Sequence, residues 1–391
     1  FAERHPVDTS RPPLVKLGFA NGIAQGFGVM VSHAFGAKDF KLLRHYVALS
    51  LILTLIISLL LTIPTVTASR LLLAWMHTPE NIIAMADAYI KVIFAGILLT
   101  MAYNVLSGIL RGIGDSRTPL YFLILSSVLN IILDVVLIVY TGLGTAGAAY
   151  ATIIAQGVSA VLCFFYMYRK YDILRTRHED YYLDSAGVKN MLAIGVPMAL
   201  NYSITAIGTM IMQSAVNVFG SSVVAAFTAA SKVSNIATQS MPTLGTAMAT
   251  YCGQNLGAGK YDRIYAGMRQ GLFLCFGAAA TAAAICIFGG RFIVSWFVSN
   301  PSEEIFSSAM QYLTIASWFF LPLAMIFLYR NALQGLDQGL IPMLSGVIEL
   351  ACRFGVIALV PASTGFFGVC FADPAAWAGA GIPLFITYLL W

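Results

Sequence analysis

The sequence predicts an all-α polytopic membrane protein. Three observations carry that expectation. First, the 391 residues are 59% hydrophobic and only 10% charged, whereas soluble domains carry about 25% charged residues. Second, uncharged runs such as Tyr46–Ser69, Val92–Leu110, Met191–Ser231 and Val233–Gly259 match or exceed the ~20 apolar residues that cross a bilayer as a helix. Third, these runs do not alternate polar with apolar residues, as the strands of a membrane barrel must. With no water in the bilayer core to satisfy a lone strand, helices are the spanning form that fits.

Apolar runs and their Gly, Pro and charged punctuation place eleven spans. They lie near Leu14–Phe35, Tyr46–Ser69, Ala88–Leu110, Pro119–Tyr140, Thr145–Tyr168, Lys189–Gln213, Ser221–Gln254, Met268–Phe297, Ile305–Tyr329, Pro342–Val360 and Phe367–Trp391. The seventh is too long for one straight helix and is expected to contain a turn. Arg169–Lys189 (RKYDILRTRHEDYYLDSAGVK) is the most polar interior stretch and reads as a linker. The expected organisation is an N-terminal lobe at 1–169, a linker at 170–188 and a C-terminal lobe at 189–391.

Lysines and arginines orient the chain. Loops near 36–45, 111–117, 169–190, 258–269 and 330–341 hold most of them, Arg330 included, while the opposite loops hold Arg70 and Arg291. The first set is expected in the cytoplasm. The sequence also repeats weakly. Leu110-Arg-Gly-Ile…Pro119 recurs as Leu333-Gln-Gly-Leu…Pro342, and Ala88-Tyr-Ile90 as Gln311-Tyr-Leu313, 223 residues on. Phe35-Gly-Ala37 recurs as Leu256-Gly-Ala258, and Gly144, Gly147, Tyr150, Ala151 as Gly365, Gly368, Phe371, Ala372, at 221. Alternate loops keep their side of the membrane, so a parallel repeat is expected. The span at Lys189–Gln213 has no counterpart in the first half. Twelve spans, as six plus six, are therefore expected in the intact protein, with the first lobe lacking its first helix.

Several functions are excluded or unsupported. The net charge of +5 lies in loops between spans and not on one soluble face, which does not suit nucleic acid. Six cysteines form no C-x-x-C pair and sit in apolar runs, as buried hydrophobes do. Five scattered histidines have no metal spacing. Gly253–Lys260 (GQNLGAGK) fails the phosphate-loop pattern because Tyr261 stands in place of Ser or Thr. No nucleophile–base pair is readable, so neither an enzyme nor an organic cofactor is expected.

Ionisable groups inside apolar runs remain. Asn130 and Asp134 are four residues apart and share a helix face. An Asp at the bilayer centre costs about 2.5–3.5 kcal/mol, so Asp134 is expected to face a cavity, where it could hold a proton or Na+. The alternative is an Asp at a helix end or one bonded for packing. Glu349 and Arg353, also at i and i+4, are expected to neutralise one another, with a substrate or gating contact as the alternative. Lys232, near Asn235 and Gln239, either opposes a carboxylate or snorkels to an interface; Lys91 is expected to snorkel. Asn104, Ser127, Gln156, Asn201, Tyr202 and Gln213 are expected to bond between helices, some of them lining a cavity with apolar walls.

Gly108-Ile-Leu-Arg-Gly-Ile-Gly-Asp-Ser-Arg-Thr-Pro119, Asn130-Ile-Ile-Leu-Asp134, Gly142–Thr152 (GLGTAGAAYAT) and Gly253–Lys260 resemble the multidrug and toxic compound extrusion (MATE) family. The Leu333–Pro342 echo and Ala375-Ala-Trp377 are similar to it too. The resemblance implies two six-helix lobes that rock around a central cavity and export amphiphilic or cationic drugs in exchange for Na+ or H+. It implies a site in the first lobe made by Asn130, Asp134 and Thr152, with Na+ at Asp134 and Asn130 if sodium is the ion. A further helix-one Asp of that family has no counterpart here. A branch that uses acids on helices seven and ten is not matched, because Lys189–Gln213 and the interior of Ile305–Tyr329 hold none. The resemblance implies a monomer in a bacterial or archaeal inner membrane. A lipid-linked oligosaccharide flippase of the same superfamily and a non-transporting or enzymatic membrane protein are the alternatives.

Overall fold

A computed structural model describes residues 11–75, 80–298, 302–359 and 364–391. Among them regular structure is helical and no strand occurs. Contacts divide the chain into two compact units, Phe1–Ala199 and Leu200–Trp391.

The first unit begins with α1 (Arg11–Gly36) and α2 (Phe40–Thr67). Asp39 caps α2, its carboxylate accepting the Leu42 amide at 2.9 Å, which satisfies one of the orphan N–H groups at a helix start. The short α3 (Ser69–Trp75) leads to α4 (Glu80–Ala95) and α5 (Ile97–Gly112), which form one span bent by 44° at Gly96. Next come α6 (Arg117–Val135), ending in a π-helical turn at Val136–Tyr140, and α7 (Gly144–Lys170). Two 3-10 turns occupy the linker before α8 (Ser185–Val216), and the division between the units falls within α8.

The second unit continues with α9 (Ser221–Thr238), α10 (Ser240–Gly257) and α11 (Tyr261–Phe297). Then α12 (Glu303–Trp318) and α13 (Phe320–Gly335) form a pair bent by 52° at Phe319. The unit closes with α14 (Leu340–Leu359), α15 (Gly365–Val369) and α16 (Ala372–Leu390).

Every predicted span coincides with a helix or a helix pair. Among the described residues seven helices are long and apolar enough to cross a bilayer alone, and the two bent pairs do so jointly. The helices at the first and seventh predicted spans, α1 and α9–α10, fall short because they are rich in Gly, Ala, Ser and Thr. Close packing is the reason for that composition. A Cβ on Gly26 would stand 2.4 Å from Gly195 Cα, and one on Gly28 2.9 Å from the Gly108 carbonyl, so α1 meets α8 and α5 backbone against backbone, as small residues permit in membranes. The expected turn in the seventh span is a break at Gln239 between α9 and α10.

The backbone repeats as the sequence does. Positive φ occurs at Lys38 (57°) and Gly259 (66°), at Gly114 (94°) and Asp337 (63°), and at Gly144 (54°) and Gly365 (57°). Each pair is separated by 221 or 223 residues. Left-handed backbone at the non-glycines Lys38 and Asp337 is uncommon, so its recurrence at matched places marks shared turn geometry. Hydrogen bonds recur too: Asp39 N–H to Ala34 at 3.1 Å matches Lys260 to Asn255 at 2.8 Å, and Asp115 to Leu110 matches Gln338 to Leu333, both at 2.9 Å. The helix breaks at Gly96 and Phe319 are likewise 223 apart.

One assignment from charge needs correction. Arg330 is not a loop residue. Helix α13 runs on to Gly335, and Arg330 lies buried within it.

Candidate ion-coupling site

In the first unit, α6 and α7 pack side by side. Asn130 on α6 donates from Nδ2 to the Thr152 hydroxyl on α7 at 3.3 Å, and that hydroxyl donates back to the Ala148 carbonyl at 3.0 Å. One turn along α6, Asp134 is half-buried. Its Oδ1 is shielded from solvent and has no hydrogen-bond partner. A buried polar atom without a partner costs about 1–3 kcal/mol. The set offers a carboxylate oxygen, an amide oxygen and a hydroxyl oxygen. That oxygen-only chemistry suits a hard cation or a proton, and it offers none of the thiolate or imidazole ligands that softer metals select. No cluster of three or more His, Cys, Asp or Glu that could hold a metal occurs among the described residues.

The second unit carries a different arrangement at the matching place. The Arg353 guanidinium on α14 donates from Nε to Asp373 Oδ1 at 2.9 Å and from Nη2 to Glu349 Oε1 at 3.4 Å. Arg330 on α13 donates to Glu349 Oε2 at 3.0 Å and to Ser345 Oγ at 3.4 Å. Tyr312 on α12 donates to Asp373 Oδ2 at 2.8 Å. All six residues are buried. Two arginines face two carboxylates, so the network is neutral as a whole. Such networks are most stable when every polar atom is partnered; here Arg330 Nε is buried without a partner.

The repeat aligns the two places residue by residue. Arg353 lies 223 after Asn130, and Asp373 lies 221 after Thr152. The Arg353–Asp373 bond is therefore the second unit's version of the Asn130–Thr152 bond. Glu349, Arg330 and Tyr312 match Ser126, Ser107 and Tyr89, and Asp134 matches Ile357. One crossing point holds an acid with neutral neighbours; the other holds an acid with a cation covalently supplied.

The sequence singled out Glu349 and Arg353 as a mutually neutralising pair. They do bond, but each has a further and shorter contact, to Arg330 and to Asp373. Those partners were missed because charge counting alone puts Arg330 in a loop, and Asp373 sits at the start of a helix. The repeat offset was the signal that could have found Asp373.

The remaining candidates scatter. Gln156 accepts from the Thr100 hydroxyl, joining α7 to α5. Asn104 donates to its own helix at Thr100 O (2.9 Å), Ser127 to Leu123 O (2.9 Å) and Gln213 to Asn217 Oδ1 (3.1 Å). Asn201 is buried with Oδ1 unpartnered, close to Gly346 of α14, and Tyr202 is partly exposed. Lys232 is exposed beside exposed Asn235 and Gln239, its ammonium 5.3 Å from the Phe297 ring centre. Lys91 pairs with Asp87 at 2.7 Å, where Ser69 and Arg70 also converge.

The linker is fastened to the first unit. His45 of α2 bonds Asp184 Oδ1 at 2.6 Å and the Asp180 carbonyl at 3.1 Å, and stacks on Tyr182. Arg44 pairs with Asp180 at 3.3 Å. The Gly187 amide donates to Asp184 at 2.6 Å. That bond, against a smaller upward push from burial and helped by His45, holds the Asp184 carboxyl below its ordinary range.

The MatE family profile matches residues 14–136 and 197–359, nearly three-quarters of the chain. The chain belongs to the MatE family. This MatE protein is 29% identical over 361 residues to the probable multidrug resistance protein YpnP of Bacillus subtilis, covering 91% of this chain and 79% of that one. It is 25% identical to the probable multidrug resistance protein NorM of Thermotoga maritima, covering 84% and 71%. A FAD transporter of Shewanella oneidensis is 24% identical, covering 90% and 78%. The fold matches a MOP-superfamily transporter from Pyrococcus furiosus with a TM-score of 0.92 at 22% identity, covering 98% of this chain and 86% of the other. It also matches an outward-facing multidrug resistance MATE transporter, with a TM-score of 0.90 at 22% identity and the same coverage. The MatE protein is thus a multi-pass membrane protein of a transporter family.

Proposed function

We propose that this MatE protein is a secondary antiporter of a bacterial or archaeal inner membrane that exports amphiphilic or cationic small molecules in exchange for Na+ or H+. The observation that carries this reading is Asp134: an acid within a spanning helix, with a shielded and unpartnered oxygen, one turn from the Asn130–Thr152 contact. Intramembrane ionisable groups mark ion pathways by default. The names of the Bacillus subtilis and Thermotoga maritima relatives support drugs as the substrate class.

A cation or proton arriving at Asp134 removes a net negative charge from the α6–α7 crossing. Any two conformations that solvate this carboxylate differently are then shifted in population by that binding, and only by its differential affinity for them. The equivalent crossing in the second unit already contains its own cation, Arg353. The proposal therefore assigns one coupling ion per chain, taken in the first unit.

Efflux of a fluorescent cation, driven by an imposed Na+ or pH gradient in proteoliposomes, tests this. Asp134→Asn is expected to abolish gradient-driven efflux while the protein elutes and unfolds like the parent. Undiminished gradient-driven efflux in Asp134→Asn would overturn the assignment. The gradient that drives the parent identifies the ion.

A further inference from the structure

A cavity of about 500 Å³ opens where the loop after α5 meets the first turn of α6 and the last turn of α7. Arg117, Lys170, Tyr121 and Tyr166 line it together with Asp115 and Thr118. Arg117 is exposed and forms no ion pair among the described residues. Lys170 receives the rings of Tyr166 and Tyr171 at about 5 Å and is bonded to the Tyr166 hydroxyl at 2.8 Å.

The carboxylate in the cavity is already committed. Asp115 accepts from the Thr118 amide at 3.0 Å, the Thr118 hydroxyl at 2.6 Å and the Tyr171 hydroxyl at 2.6 Å. Lys170 lies 3.7 Å away. With Asp115 ionised, the lining keeps one net positive charge.

Below the cavity the surface turns apolar. From Tyr121 exposed side chains continue down α6 through Leu125, Val128 and Ile132, and from Tyr166 down α7 through Leu162 and Val158. Cations and tyrosines above an apolar strip are what the interface of a bilayer selects. This is also the side on which Lys and Arg gather, where anionic headgroups attract basic clusters.

The arrangement is not a by-product of the repeated turn. The second unit repeats the backbone of this loop, yet Gln338, Leu340 and Leu344 stand at the places of Asp115, Arg117 and Tyr121. The shared turn geometry therefore does not require these polar side chains.

We propose that this cavity binds the phosphate headgroup of an anionic phospholipid, with its acyl chains lying along the exposed strip of α6 and α7. Arg117 and Lys170 contact the phosphate, Tyr121 and Tyr166 flank it, and Asp115 holds the loop in shape. The site is independent of Asp134 and of the transported substrate.

The test is native mass spectrometry of the purified full chain, released from nanodiscs of mixed phosphatidylglycerol and phosphatidylcholine. The parent is expected to retain phosphatidylglycerol in preference to phosphatidylcholine. Arg117→Gln, which breaks no bond among the described residues, is expected to weaken that retention about fivefold, and Arg117→Gln/Lys170→Gln roughly thirtyfold, at about fivefold for each surface cation lost. Arg117→Lys is expected to restore most of it. Equal retention in parent and Arg117→Gln, or no preference over phosphatidylcholine, would overturn the proposal. Displacement of the lipid by millimolar inorganic phosphate would also overturn it, in favour of a free-phosphate site.

Discussion

Replacing Arg353 by Asn copies into the second unit the residue that the first unit carries at Asn130. The structure sets the size of the effect. In the parent, Glu349 and Asp373 face Arg330 and Arg353, all less than a tenth exposed. Removing Arg353 leaves two buried carboxylates against one guanidinium, and among the described residues Asp373 keeps only the Tyr312 hydroxyl. Deleting one partner of a buried pair costs about 3–5 kcal/mol. Asp373→Thr alone leaves the opposite excess, one buried positive charge, and is expected to cost about as much. The double variant Arg353→Asn/Asp373→Thr leaves Glu349 with Arg330 and restores neutrality. It is expected to be clearly more stable than the sum of the single losses, with a coupling of about 2–3 kcal/mol, within the range for contacting residues. Denaturant unfolding of purified protein in mixed micelles, run on all four members of the cycle, reads this directly. Additive single losses, or a cost under about 1 kcal/mol for Arg353→Asn, would refute the claim that these four charges act as one buried network.

Further outcomes follow from the close contacts and the linker. Gly26→Ala would put a methyl group 2.4 Å from Gly195 Cα; backbone cannot yield as a side chain does, so a loss of about 3 kcal/mol and poor yield of folded protein are expected, measured by size exclusion in detergent. Asp184 has its folded pKa held below the ordinary value of 3.8 by the Gly187 amide; its contribution is therefore present above that ordinary value and is lost as pH falls through the folded one. Hydrogen exchange at Gly187, corrected for intrinsic rates, is expected to keep its protection at neutral pH and to lose it only in strong acid. In Asp184→Ala that protection is expected to be gone at neutral pH.

Much of the fold was legible because the bilayer leaves little choice. Long uncharged runs must be helices, and their breaks were marked by Gly, Pro and charge. The repeat was visible in Leu110–Pro119 and Leu333–Pro342, and the turn geometry at Gly114 and Asp337 follows the same offset. Helices α1 and α9–α10 were found by position but are the least apolar, because close backbone contact selects Gly and Ala over Leu. The site was only half legible. Asn130 and Thr152 sit on different helices, and their contact needed the α6–α7 packing. Arg330 looked like a loop charge because composition cannot tell a cation at a membrane surface from one buried beside a carboxylate nineteen residues away in sequence. Asp373 could have been found earlier by applying the repeat offset to Thr152.

The central claim is that Asp134 takes the coupling ion and that the second unit's equivalent place does not. Ion binding to the purified chain measures this most directly, as Na+ bound, or protons released on substrate binding, per protein molecule. The account predicts one ion per chain in the parent, none in Asp134→Asn, and one still in the stability-compensated Arg353→Asn/Asp373→Thr variant. One ion per chain persisting in Asp134→Asn would contradict it.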